Sequence, residues 1–384
     1  MTPVRQIALD SAPLFPQGDR TVGLRQARFE DHAAIAALET SQGLKSKPFE
    51  EWRRLWTHNP CYNELGSNWP IGWVLEERGG RVVGSLGNVP LPYVFQRKKI
   101  LAATGRGWSV EQRYRGFAPL LMDEYFSQPN VDLFLNTTVN GNADSAFGAF
   151  GSLRVPAGDW GTAAFIVTGY RGFAESALRI KGIPQPWLFS YPAGVALSIH
   201  DLWFYKRIPS CDADVVQAHG FDEAFDTFWE ALEGGSPALL AVRSREVLNW
   251  HFSAALERNQ LWIFTILGPG GIIQAYGIFE QRDEPRYHLK RMRLVDFQAL
   301  NSHAGYEAAI LRRALAVCRA RGIHALEHVG CDLQETRVFD RAALHRRKLP
   351  AWSYCYLAPD PALASQLSNP AVWAPSCFDG DSSL

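Results

Sequence analysis

The chain has 384 residues, 47 % of them apolar, and its 39 Lys and Arg are matched by 39 Asp and Glu. This length and composition predict a large core in two domains, or in one large α/β unit with additions; wholesale disorder and a generic polyanion-binding tail are excluded. The segment Arg243 to Lys348 still carries more basic than acidic residues, so a polyanionic ligand on that half stays open.

Met1 to Arg20 offers acids and Pro3, Pro13 and Pro16 where a secretory signal needs a basic start and an apolar run, which predicts an N-terminal extension and a cytoplasmic location. From Thr21 the chain gives a strand (Val22 to Arg28), a helix to about Ser41 and a helix near Pro48 to His58. Ile71 to Glu77, Gly80 to Asn88 and Ile100 to Val110 then read as an antiparallel meander, followed by a helix from Phe117 to Ser127, a strand Val131 to Thr137 and a helix from Asn142. The segment 171–210 is rich in Gly and Pro and holds Trp and Phe residues, which predicts an ordered connecting arm packed on the body. It contains the longest near-apolar run, Pro192 to Tyr205, but His200 and Asp201 interrupt it short of the roughly 18–20 residues of a membrane span.

From Phe221 a similar order recurs: helices at Phe221 to Glu233 and Ser244 to Ala255, strands at Leu261 to Leu267, Ile272 to Gln281 and Tyr287 to Asp296, and a helix His303 to Arg321. A strand Ile323 to Val329, a helix Leu333 to His345 and a last strand Trp352 to Leu357 complete it. The expected fold is α+β, in two units at 21–170 and 211–358, each a mixed, mostly antiparallel twisted sheet flanked by helices. Residues 359–384, with four prolines, read as an extended tail. The six cysteines, Cys61, Cys211, Cys318, Cys331, Cys355 and Cys377, have no close pair and no ligand spacing, so free thiols are expected.

The segment from Trp108 to Met122 carries the most chemistry. A strand ends near Val110, a turn follows, and an apolar helix begins, so successive amide N–H groups and a positive helix end converge as a pyrophosphate requires. Gly116 allows close backbone approach, Ala118 adds little obstruction, Arg113 and Arg115 supply countercharge, and Pro119 suits a first helical turn.

Arg113-Tyr114-Arg115-Gly116-Phe117-Ala118 resembles the signature of the Gcn5-related N-acetyltransferases: Gln or Arg, two residues, Gly, one residue, then Gly or Ala, between the fourth strand and third helix. The opening Leu24 to Asp31, the meander before the motif and Phe134 to Ser145 after it follow the family's order. Val247 to Phe252 is similar to segments of bacterial tandem-domain members. The second half lacks the signature, with Asn301 where the Gly should be, which implies one coenzyme site, in the first half. The resemblance implies an acyl-CoA-dependent N-acyltransferase, with acetyl-CoA or another acyl-CoA bound by Val110, Arg113, Arg115, Gly116, Phe117 and Ala118, and by Asn136, Asn140 or Asn142 on the pantetheine side. An amine would attack the thioester directly, with a backbone amide of Gly107 to Val110 binding the oxyanion.

Phe stands on the helix 143–152 where many members place an acid Tyr, and the strand before the motif has no Glu; Glu111 and Ser109 are the catalytic candidates. Trp69 and Trp73 flank a loop and are the candidate acceptor pocket, while Trp52 and Trp56, at helical spacing, read as core. The expected acceptor is a small-molecule or sugar-precursor amine; a homodimer is allowed, and neither a membrane nor a metal is expected. A transferase using aminoacyl-tRNA, or one of a polysaccharide pathway, is the alternative, on the basic helix of Arg312, Arg313, Arg319 and Arg321 with Arg341, Arg346, Arg347 and Lys348. A degenerate acyl-CoA-binding module is the third reading. His324-Ala-Leu-Glu-His328 matches a zinc-hydrolase pattern, but as a strand it sets its two histidines roughly 13 Å apart, too far to share a metal.

Overall fold

The computed structural model describes residues 22–139, 141–204, 208–301, 304–331, 337–349 and 353–384, the side chains of Ser67, Asn142 and Ala304 excepted. The first half runs β1 (Val22–Gln26), α1 (His32–Ser41), α2 (Phe49–Thr57), α3 (Pro60–Leu65), β2 (Gly72–Glu77), β3 (Val82–Phe95) and β4 (Lys98–Val110). It continues with α4 (Ala118–Phe126), β5 (Leu133–Val139), α5 (Gly141–Ala149), β6 (Leu153–Arg154) and β7 (Asp159–Val167). A helical pair, α6 (Tyr170–Ile180) and α7 (Pro186–Phe204), leads to β8 (Val215–Ala218), α8 (Glu223–Gly235), β9 (Leu240–Ala241), α9 (Arg245–His251) and α10 (Ser253–Glu257). Then come β10 (Leu261–Leu267), β11 (Ile273–Gln281), β12 (Arg291–Ala299), α11 (Ala304–Ala320), β13 (Ala325–Cys331), α12 (Val338–Ala342), β14 (His345–Lys348), β15 (Ser353–Leu357) and α13 (Pro361–Leu367).

The strands form two mixed sheets flanked by helices. One, 8-stranded, has the order β1-β2-β3-β4-β5-β15-β6 with β9 on β3; the other, 7-stranded, has β14-β7-β13-β12-β11-β10-β8. The meander expected from the sequence is β2, β3 and β4. β3 runs on past Asn88, where the sequence reading stopped, through Pro90 and Pro92. Their carbonyls face away from β4, accepting from Asn59 Nδ2 and Val242 N, so the missing proline N–H groups cost that ladder nothing.

Two segments lie in sheets that chain order does not suggest. β15, read as the last strand of the second half, pairs with β5 in the first sheet, and β7, from the first half, pairs with β13 and β14 in the second. Each half thus donates a strand to the other, and one apolar cluster runs through both sheets, from Trp56 and Phe134 to Tyr276 and Val329. Residues 359–384 are not an extended tail. α13 packs Leu363 and Leu367 inward, Cys377 and Phe378 are buried, and Asp381 reaches β5. The connecting arm is ordered, but Trp187, Phe189, Trp203 and Phe204 face outward, not onto the body.

Of His324-Ala-Leu-Glu-His328, Ala325 to His328 lie in the strand β13, with His324 just before it. Glu327 is buried between Arg291, Arg293 and Arg347, with contacts of 3.3, 2.7 and 2.9 Å, and His328 pairs with Asp340 at 3.0 Å, so the glutamate serves an ion-pair network. Burial alone would raise the Glu327 pKa, but the three arginines outweigh it and hold it at about 2. Its stabilising contribution is complete above the ordinary carboxylate pKa and is lost as pH falls toward 2. Acid unfolding followed by circular dichroism should therefore show a stability loss between roughly pH 4.5 and 2 that Glu327→Gln removes, at lower stability throughout.

Candidate active site

The site is built on β4, whose two edges are both irregular. Towards β5 the parallel ladder covers only Ala102, Ala103 and Thr104, opposite Leu133, Phe134 and Leu135. Beyond it no further pairs form among the described residues, and the strands part. Towards β3 the register slips between Ser85 and Gly87, where Gly107 adopts φ +63° in a bulge. A wedge of about 110 Å³ lies in the parting, lined by Gly105, Gly107, Trp108, Asn136, Thr138 and Asp381 among others. It shares Leu44, Trp108 and Ala143 with a cleft of about 510 Å³ between the end of β4, the start of α4, Ala146 of α5 and Phe150 just after it.

Gln112 to Phe117 forms a 3₁₀ turn, and α4 begins at Ala118 with Pro119 in its first turn. A Cβ added at Gly116 would have no atom within 4 Å, so this backbone is open to a ligand. Val110, Arg115 and Ala118 line the cleft. Arg113 does not: its guanidinium lies 4.9 Å from the Tyr114 ring centroid and 3.3 Å from Glu111. Phe117 packs half-buried against the core.

The wall formed by β4 and β5 carries polar atoms without partners among the described residues: Asn136 Nδ2, Trp108 Nε1 and Ser109 Oγ, all buried. Asn136 Oδ1 is fixed by Gly105 N at 3.1 Å. A buried unpaired donor costs roughly 1–3 kcal/mol, so three along the adjoining wedge and cleft fit a polar ligand that would pair with them. Asn140 lies outside the described residues, as does the Asn142 side chain.

Glu111 is held by Arg81 and Arg113 at the surface, outside the cleft lining. A different carboxylate lies at the bulge. Glu39 of α1 is buried, and a side chain at Gly107 would overlap its carboxylate. Burial pushes its pKa up, and Arg106 and His32 offset this only partly. Glu39, Arg106, Trp52, Trp56 and Trp73 line a narrow cavity that shares Gly107 and Leu86 with the wedge. Of the two expected acceptor-pocket residues, Trp73 is there; Trp69 is buried, with its indole donating to Asn88 O at 3.2 Å. Trp52 and Trp56, read as core, are core and also line this cavity.

Asp381 was not recognised from the sequence either. Its carboxylate accepts from Thr137 Oγ1 at 2.7 Å and Thr138 Oγ1 at 2.6 Å, inside the wedge. The six cysteines are free thiols. Burial pushes those of Cys331 and Cys377 up to about 11, so they are protonated at neutral pH and poor nucleophiles. Several cations of the basic second half are engaged internally: Arg312 donates to Cys211 O at 3.0 Å, Arg347 pairs with Glu327, and Lys348 lies 3.6 Å from Asp159.

No protein-family model and no curated protein matches the sequence. Solved structures do match the fold. A GCN5-related N-acetyltransferase from Anabaena variabilis is 11% identical, with a TM-score of 0.53 over 88% of this chain and 73% of its own. One from Kribbella flavida is 10% identical, with a TM-score of 0.54 over 88% and 71%. N-myristoyltransferase from Saccharomyces cerevisiae, with bound myristoyl-CoA, is 9% identical, with a TM-score of 0.53 over 91% and 81%. The parted β4 and β5, the bulge and the turn into α4 therefore stand in a chain whose fold is that of the GCN5-related N-acetyltransferases.

Proposed function

We propose that this chain is an acyl-CoA-dependent N-acyltransferase working from the first sheet, with acetyl-CoA as the simplest donor and an amine of a small molecule or sugar precursor as acceptor. The observation that carries this reading is the coincidence, at one wall, of the parted β4 and β5, the open backbone at Gly116 and the three orphaned donors. The open backbone at Gly116 and the Arg115 guanidinium would hold the pyrophosphate. Asn136 would pair with the pantetheine amides through Nδ2, and a backbone N–H at the Gly107 bulge would stabilise the oxyanion.

The acceptor amine would meet the thioester at the Gly107 bulge, where the wedge and the narrow cavity beside Glu39 adjoin. Its amine nitrogen bonds to the thioester carbonyl carbon, the carbon–sulfur bond breaks, and the amine proton passes to the Glu39 carboxylate. We assign the base to Glu39 rather than Glu111 because Glu39 lies at the bulge and has no ion-pair contact among the described residues, whereas Glu111 is paired with two arginines. Ser109 Oγ and Trp108 Nε1, not a tyrosine, are the donors available to the departing thiolate. No covalent enzyme intermediate is required.

Calorimetric titration with acetyl-CoA and a longer acyl-CoA tests the reading. Micromolar binding is expected, and Gly116→Trp should weaken it by at least about 100-fold, because the indole would occupy the space the pyrophosphate needs. Equal binding by the variant would overturn the placement. Tight binding with no turnover of any amine would leave an acyl-CoA-binding module.

A further inference from the structure

The helical pair α6 and α7 is built inside out. α7 buries Pro186, Ser190, Gly194 and Asp201, all small or polar. At 100° per residue, Trp187, Tyr191, Val195, Ile199, Leu202 and Trp203 fall on one arc on the other side, and all six are exposed, Trp187 by 57%, Leu202 by 75% and Trp203 by 83%. Ser198, the hydroxyl on that arc, already donates to Val195 O at 2.9 Å. Scattered exposed apolar residues are ordinary, but a contiguous face of this size marks an interaction surface. α6 is tied to the body, Ser176 Oγ donating to His288 O at 3.1 Å, and α7 packs closely on α6, where a Cβ at Gly194 would come 3.1 Å from the Arg171 backbone.

Charge around this face is sorted by sign. The acids of residues 170–204 are Glu175 and Asp201. Glu175 pairs with Arg179 at 2.6 Å; Asp201 is buried, 2.8 Å from His345 Nε2 and 3.1 Å from His200 Nδ1. Arg171 and Lys181 are exposed, with no ion pair among the described residues. The exposed face is thus apolar; the nearby acids are hydrogen-bonded or paired, while Arg171, packed against α7, and Lys181, in the turn before it, remain exposed. It is shaped for a surface that is apolar beneath and anionic above.

We propose that α7 lies in the interfacial layer of an anionic phospholipid bilayer, its apolar arc in the acyl boundary and Arg171 and Lys181 against lipid phosphates. A second copy of the chain fits less well. Protein interfaces carry a polar rim and about one hydrogen bond per 100–200 Å², whereas beyond Ser198 the free polar groups on this arc are the indole and phenol groups of Trp187, Trp203 and Tyr191. Those rings suit the headgroup level of a bilayer. The helix is roughly 28 Å long at about 1.5 Å per residue, and among the described residues no helix is long and apolar enough to cross a membrane. It rests on the surface, and its site is independent of the acyltransferase reading.

Co-sedimentation of the full chain with phosphatidylcholine vesicles, with and without phosphatidylglycerol, tests this. The chain should bind the anionic vesicles, and L202E/W203E should weaken binding at least about tenfold, with thermal unfolding and acyl-CoA affinity unchanged. Lys181→Glu should weaken binding severalfold on anionic vesicles only. A wild-type chain that stays in the supernatant with both vesicles would overturn the proposal, as would equal binding by L202E/W203E. A wild-type dimer that this variant splits, with no vesicle binding, would assign the face to a second copy.

Discussion

Glu39→Gln should lower kcat by about 10²–10⁴-fold while leaving acyl-CoA affinity unchanged, as read by thiol release with a saturating amine and by calorimetry on the same protein. The carboxylate lies at the Gly107 bulge, where it can take a proton from an attacking amine, and it faces away from the cleft proposed for the coenzyme. Burial raises its pKa, so the basic form is reached at a higher pH than for an ordinary glutamate. Activity should accordingly rise with pH through a limb displaced above the usual carboxylate range, and Glu39→Gln should abolish that limb. An unchanged kcat and pH profile would remove Glu39 from the chemistry and leave Asp381, the carboxylate inside the wedge, as the next base to test.

Arg243→Met should destabilise the protein by roughly 3–5 kcal/mol, because it strands a buried carboxylate. Arg243 and Asp296 are both fully buried and paired at 2.8 and 3.1 Å, and Arg243 also donates to Ala241 O at 2.7 Å. Burial alone would raise the Asp296 pKa, yet the guanidinium outweighs it and holds the carboxyl below its ordinary value. The pair ties the chain beside β9, in the first sheet, to β12 in the second, with Asp379 nearby at 4.0 Å. Differential scanning calorimetry should show Tm falling by about 5 °C, and adding Asp296→Asn should recover part of the loss. A Tm unchanged by Arg243→Met would mean that the two sheets do not depend on this pair.

The meander and the turn into α4 were legible because they are local: alternating strands, a small-residue turn and an apolar helix follow one another within about fifty residues. The α+β plan of both halves was readable for the same reason. The strand exchange was not. β15 joins β5 across more than two hundred residues, and nothing in a short apolar strand names its partner sheet. Asp381 was hidden likewise, since its place depends on where the last residues fold back. Glu39 had a signal: it shares one face of α1 with Ile35 and Leu38, an acid where the spacing calls for an apolar residue. The outward aromatic residues of α7 defied the expectation that Trp and Phe pack inward, and that departure carries the proposed bilayer contact.

The most direct test of the central claim is a crystal structure of the chain soaked with coenzyme A. A pyrophosphate is expected against the open Gly116 backbone beside Arg115, with the pantetheine arm between β4 and β5 and paired to Asn136 Nδ2. Coenzyme held instead on the second sheet, with the wedge beside Asn136 empty, would contradict it.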